Sequence, residues 1–71
     1  MYSEYRFEGC DGATYTVWDR TDKAAIKAAK SWGGRHGGIL RIDAPDGSGG
    51  IRDVQFTYNG VTYAQGCETM K

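Results

Sequence analysis

Three side chains in this sequence carry the chemistry of a nucleophile, a general base or a metal ligand: Cys10, His36 and Cys67. His36 is the single histidine. A cysteine nucleophile needs an electropositive setting and an orienting third group besides its imidazole. Nothing near Cys10 or Cys67 in the sequence supplies either, and a thiol on a turn beside a solvated loop histidine accounts for all three residues. As metal ligands they lack a C-x-x-C spacing and a fourth member, so no metal is expected. The patterns that mark zinc proteases, serine hydrolases and phosphate-loop enzymes do not occur. Carboxylates for acid–base work would come from Glu4, Glu8, Asp43 or Asp53, and no spacing sets the proton affinity of one apart from another. The expected protein is not an enzyme and takes no cofactor.

Binding chemistry is better represented. From Arg20 to Arg41 the chain carries Arg20, Lys23, Lys27, Lys30, Arg35 and Arg41 against the single acid Asp22, while the remainder is acidic by the same margin. Lys23, Lys27 and Lys30 recur at helical spacing and form one outward stripe, either a solvated helix face or a surface for phosphates or an acidic protein. With Arg20 and Arg35 they make a candidate basic patch. Glu4, Glu8, Asp11, Asp43 and Asp53 make a candidate acidic patch, able to dock on a basic groove. Tyr2 and Trp18 are the aromatics expected to stay exposed and to anchor an interface. The run Gly33-Gly34-Arg35-His36-Gly37-Gly38 follows a helix instead of preceding one, so it faces the negative helix end and reads as a cap and link, not a phosphate cradle.

These residues must be held by a small frame. Seventy-one residues, 39% hydrophobic and 25% charged with formal net charge zero, predict one soluble domain spanning residues 1–71. No apolar run approaches bilayer length. The start Met1-Tyr2-Ser3-Glu4-Tyr5-Arg6 has no signal-like stretch, so export is not expected and the two cysteines are expected as free thiols, with a disulfide as the alternative.

The elements follow from periodicity. Tyr2–Glu8 alternates with period two and predicts a strand, Gly9–Gly12 a turn, and Ala13–Trp18 a second strand. Asp19–Asp22 offers helix N-caps, Lys23–Trp32 has helical propensity with Ala25, Ile26, Ala29 and Trp32 as its apolar stripe, and Gly33-Gly34 ends it, one of them free to take a left-handed cap. Ile39–Asp43 is a strand with Leu40 and Ile42 inward, followed by a Pro45-Asp46-Gly47 turn. Asn59-Gly60 predicts a hairpin pairing Tyr58 with Val61 and Phe56 with Tyr63, with Val54 on the same face. The predicted fold is two-layer α+β: a mainly antiparallel five-stranded sheet, in the order β-β-α-β-β-β, with the helix on one face. One parallel pairing across the helix is allowed. The expected core is Tyr5, Phe7, Tyr15, Val17, Ile26, Ala29, Trp32, Leu40, Ile42, Val54, Phe56, Val61 and Tyr63.

The short Ala/Lys helix Thr21–Lys30 set after a strand, and the meander from Gly38-Ile39-Leu40-Arg41-Ile42-Asp43 through Tyr63, resemble the small phage and mobile-element proteins that act as anti-CRISPR inhibitors of type I systems. The resemblance extends over nearly the whole chain. It implies a stoichiometric inhibitor in the cytoplasm of a bacterial host, binding a protein subunit of an RNA-guided surveillance complex and obstructing target DNA. The residues themselves leave a second reading, a small nucleic-acid-binding module working through the basic helix face, with no membrane partner in either case.

Overall fold

The computed structural model describes residues 1–58 and 60–67. In chain order the elements are β1 (Ser3–Gly9), β2 (Thr14–Asp19), α1 (Asp22–Gly33), β3 (Ile39–Pro45), β4 (Ile51–Asp53), β5 (Phe56–Tyr58) and β6 (Val61–Tyr63). Strands β1 to β4 form one sheet in the order β2-β1-β3-β4, and β5 and β6 form a separate hairpin. Every pairing is antiparallel. The α+β class is as expected, with one helix among the described residues; the five-stranded sheet is replaced by a four-stranded sheet plus a two-stranded one.

The cause of that split is local. Val54 still bonds to β3, its N–H donating to the Ile42 carbonyl at 2.8 Å, and its side chain is buried. Beyond Gln55 the chain leaves β3 and pairs with itself, Phe56 opposite Tyr63 and Tyr58 opposite Val61 as the turn predicted. Gly60 has the positive φ of 81° that this turn requires; Asn59 lies outside the described residues. Burial fades toward the tip. Phe56 is buried, Tyr58 and Tyr63 are half-buried, and Val61, expected in the core, is exposed.

Alternation along β1 sets the two faces of the sheet. Tyr5 and Phe7 are buried toward the helix, while Glu4, Arg6 and Glu8 point to the opposite side. Between Glu8 and Gly9 the register with β3 slips by one residue, so Arg41 pairs with Glu8 and Ile39 with Gly9. Leu40 is the extra residue of this bulge. The slip buries Ile39 completely and leaves Leu40 half-buried, reversing the expected roles. The core is Tyr5, Phe7, Ala25, Ala29, Trp32, Ile39, Ile42, Ala44, Val54 and Phe56. Val17 and Ile26 lie at its margin, and Tyr15, another expected core residue, is exposed because β2 is the sheet edge, its ring covered by Trp32 at 6.1 Å and Phe7 at 6.4 Å between centroids.

Thr21 caps α1, its hydroxyl accepting from the Ala24 N–H at 3.2 Å. The other end departs from expectation. Gly34 is right-handed at φ −59°, and the positive φ values fall later, at Gly37 and Gly38. Gly33 is needed for space: a Cβ there would meet Ile39 Cγ1 at 2.7 Å.

Two cross-braces close the structure. Asp22, in the first turn of α1, accepts a bidentate fork from Arg52 Nη1 and Nη2 at 2.9 and 2.8 Å and a hydrogen bond from the Tyr5 hydroxyl at 2.6 Å. Strand β1, strand β4 and the helix N-terminus thus meet on one carboxylate. The Arg52 fork, followed by the Tyr5 hydroxyl, lowers the Asp22 pKa from 3.8 to about 2. The second brace corrects the expectation of free thiols. Cys10 and Cys67 are joined by a disulfide across 57 residues, their Cα atoms 5.4 Å apart. It ties the turn after β1 to the segment after β6, where the Gly66 N–H also donates to the Leu40 carbonyl at 3.0 Å. Sequence separation gave no warning, because contact between the two ends depends on the bulged β1–β3 pairing.

Closing a loop of this length removes about 4 kcal/mol of denatured-state entropy, comparable with the whole stability of a small domain. Cys67→Ser is therefore expected to move the urea midpoint far down, read by circular dichroism. Asp22 has its folded pKa below the unfolded one. Its contribution is complete above about pH 4 and is lost as pH falls through about 2. Because the carboxylate is 45% exposed, solvent screening reduces that contribution to about 1 kcal/mol. Asp22→Asn should lose this amount at pH 7 and converge on the parent protein as pH falls below about 2 in urea titrations.

Candidate functional site

The helix covers one sheet face, and the opposite face is open. Register assigns its residues in rows across the strands. Trp18 on β2 stands opposite Glu4 on β1. Continuing the Arg6–Asp43 register by two residues brings Glu4 beside Pro45, which pairs with Ile51 on β4. The next row runs Thr16, Arg6, Asp43, Asp53, and the third Thr14, Glu8, Arg41. Successive residues of a strand point to opposite faces, so these rows share the side away from the buried Tyr5, Phe7, Ile42 and Ala44.

Two apolar side chains stand at opposite edges of the first row, Trp18 62% and Ile51 72% exposed. Two further strands separate them, a span of about 14 Å. Tyr2 extends the aromatic end, its ring carrying the Arg20 guanidinium at 5.1 Å from the centroid. Between the edges lies a shallow depression of about 180 Å³, lined by Glu4, Arg6, Asp43, Ala44, Pro45, Gly50 and Ile51.

The charges here are unevenly satisfied. Arg41 Nε lies 3.2 Å from Glu8 Oε1 and 3.5 Å from Asp43 Oδ2. That nitrogen is shielded from solvent and its N–H meets neither carboxylate in hydrogen-bond geometry, so the contact is Coulombic. Asp43 and Asp53 stand directly opposite each other on neighbouring strands. Burial pushes the Asp43 carboxyl up, Arg41 opposes the shift, and Asp53 adds to it. Like charges facing across a strand pair are destabilising. The open face therefore holds carboxylates short of positive charge, with apolar groups on both sides.

The five acidic candidates divide. Glu4, Glu8, Asp43 and Asp53 share the open face, whereas Asp11 sits in the β1–β2 turn and accepts from the Ala13 N–H at 2.9 Å. Its other oxygen lies 2.8 Å from His36 Nδ1. The Ala13 bond first, then the imidazole, hold the Asp11 carboxyl below its usual range. The His36 ring rests against Trp32, centroids 4.3 Å apart. Cys10, Asp11, Arg35, His36 and Gly37 line a depression at this end. An Asp–His pair is thus built, but the sulfur beside it is held in the disulfide, which removes the cysteine nucleophile weighed from the sequence.

The basic candidates divide as well. Lys23, Lys27 and Lys30 line one groove of about 480 Å³ with Thr21, Ala24 and Ile26. All three are exposed, and among the described residues none has an ion-pair partner. Arg20 leaves this group for Tyr2, and Arg35 joins His36 at the far end. Ile51, Pro45, Arg6 and Arg41 were missed as site residues. The signal for Ile51 was present in its position after a Gly-rich loop, at the start of a strand whose parity depends on a pairing the sequence left open. Among the described residues no helix is long and apolar enough to cross a membrane. Comparison of the chain with protein-family models, curated proteins and solved structures gives no match.

The opposed carboxylates yield a stability test. Asp43 has its folded pKa above the unfolded one, so ionising it disfavours the fold, and stability rises as pH falls from above the folded value toward the unfolded one. Asp53→Asn should stabilise the protein by about 0.5 kcal/mol at pH 7 and lower the Asp43 pKa, read by carboxyl NMR titration.

Proposed function

We propose that this protein is a non-enzymatic inhibitor that docks the open face of its four-stranded sheet onto a basic protein groove, obstructing the nucleic acid that groove is built to hold. The observation that carries this reading is the row Trp18–Glu4–Pro45–Ile51 beside the row containing Asp43 and Asp53. A basic side chain from a partner would enter between two apolar anchors and relieve the carboxylate crowding, the combination of aromatic anchor and desolvated charge on which interface energy concentrates. Arg6 and Arg41 lie among the acids, which favours docking on a shaped protein surface over mimicry of a uniform phosphate backbone.

The partner proposed is a DNA-binding subunit of a type I RNA-guided surveillance complex. The ground is the resemblance of the Ala/Lys helix and the following meander to anti-CRISPR inhibitors. A second reading has its own support: the unpaired Lys23, Lys27 and Lys30 groove would suit nucleic acid directly.

Purified surveillance complexes loaded with guide RNA, assayed by calorimetry and target-DNA binding, test the first reading. Stoichiometric binding that blocks target DNA is expected, with Ile51→Ala and Glu4→Lys each weakening it by about tenfold or more and Lys27→Glu leaving it unchanged. Absence of binding across a panel of type I complexes removes this partner. The disulfide is of a kind retained in oxidising compartments, so the assay is repeated with reductant; loss of binding on reduction also removes it, since that partner works in a reducing cytoplasm. A mobility shift with free DNA or RNA that falls steeply with salt and is abolished by Lys27→Glu would transfer the function to the helix.

A further inference from the structure

The two outer edges of the sheet are protected very differently. Strand β4 is three residues long and carries Arg52 and Asp53. Strand β2 is six residues long, and from Thr14 to Trp18 it has no charge, proline or glycine. Among the described residues no strand pairs with its far side. Long uncharged edges of this kind are templates for a further strand unless something blunts them.

The direction of the free backbone groups on β2 can be derived. The Gly9 N–H donates to the Ala13 carbonyl at 2.7 Å, which makes Gly9 and Ala13 a hydrogen-bonded pair. In an antiparallel ladder such pairs alternate. With Phe7 opposite Tyr15 and Tyr5 opposite Val17, the groups of Tyr15, Val17 and Asp19 point to β1. Those of Thr14, Thr16 and Trp18 point away from the sheet.

We infer that β2 pairs antiparallel with β2 of a second copy about a two-fold axis at Thr16, giving a continuous eight-stranded sheet. Side chains opposite each other in a ladder share a face, so a symmetric pairing must centre on a residue, not between two. It must also centre on one whose backbone groups are free. Thr16 is the middle one of the three. The register then sets Thr14 opposite Trp18 of the second copy in hydrogen-bonded pairs, and Tyr15 beside Val17 of the second copy on the helix side. No like charges oppose within the strand. The charges at its ends are complementary: Arg20 of each copy arrives at Gly12 of the other, next to Asp11. The half-covered Tyr15 and Val17 gain an apolar neighbour, which accounts for strong β-formers on an uncovered strand. Both open faces lie on the same side of the resulting sheet.

The experiment is sedimentation equilibrium on the intact disulfide-bonded protein. A monomer–dimer equilibrium is expected below about 1 mM. Thr16→Lys and Thr16→Glu place like charges against each other at the axis, on an exposed side chain outside the core. Each should weaken self-association at least tenfold, and a one-to-one mixture of the two should restore it as a heterodimer. Isotope-filtered NMR on a mixed labelled sample should show a Tyr15 Hα to Val17 Hα contact between copies. A monomer at every concentration, self-association unaltered by the Thr16 changes, no recovery in the mixture, or contacts through another edge would each overturn the inference, and a strand from another protein filling the edge would do so too. None of these outcomes depends on the surveillance-complex proposal, whose variants lie on β1, β4 and α1.

Discussion

A helix of twelve residues is about 18 Å long and 10 Å across, while four strands span a comparable width and present two faces. One such helix can keep water from one face only. In this chain Ala25, Ala29 and Trp32 take that role, and the hairpin of β5 and β6 adds Phe56 to the same side. The remaining face must be solvated by its own side chains, and alternation along β1 provides Glu4, Arg6 and Glu8 for that purpose. What distinguishes the molecule is that solvation of this face is incomplete. Trp18 and Ile51 stand on it, and two aspartates face each other across it.

The sequence made the face division legible because period two is written directly in Tyr5 and Phe7 against Glu4, Arg6 and Glu8. The hairpin at Gly60 was equally plain, since turn chemistry fixes its register. Both are local. What was not legible was each feature that depends on pairing between distant segments. The bulge at Leu40 exchanges the burial of two adjacent apolar residues, and both orders fit the same pattern Ile39-Leu40-Arg41-Ile42. The chain turns away from the sheet after Val54, where no Gly or Pro marks the break. The Cys10–Cys67 bond and the Arg52–Asp22–Tyr5 brace each join segments distant in sequence that meet only once β1 lies beside β3. For the same reason the candidate patches came out partly mixed: Asp11 and Arg35 share a charge class with their patches but not a location.

The two braces are matched to the weakness of the frame. Among the described residues the core holds ten buried apolar side chains, three of them the alanines Ala25, Ala29 and Ala44, and supplies limited hydrophobic stabilisation. The disulfide acts on the unfolded chain, narrowing what it can explore. The carboxylate brace acts in the folded state, fixing the start of the helix to β1 and β4 through hydrogen bonds to a charged group, the stronger class of such bonds. Tyr5 joins the carboxylate brace to the core, its ring buried and its hydroxyl donating to Asp22. The helix N-terminus is thereby held, while Lys23, Lys27 and Lys30 have no ion-pair partner among the described residues.

Stability supplied in this way offsets features that the fold alone would disfavour. An aspartate pair of which, among the described residues, only Asp43 has an ion-pair partner, an exposed tryptophan and an unblunted edge strand each go against local rules for a small domain. Sequences satisfy those rules at most positions and depart from them where another requirement competes. Here the departures are not scattered: Trp18 belongs both to the open face and to the free edge, and Asp43, Asp53 and Ile51 complete the same face. On the side that carries the core, the departures among the described residues are Tyr15 at that same edge and Val61 near the tip of the β5–β6 hairpin. Concentration of unsatisfied chemistry on one surface, opposite a tightly braced core, is what the proposed docking would draw on. The bracing keeps β1 to β4 in register, and register is what brings the apolar anchors and the carboxylates between them onto a single plane.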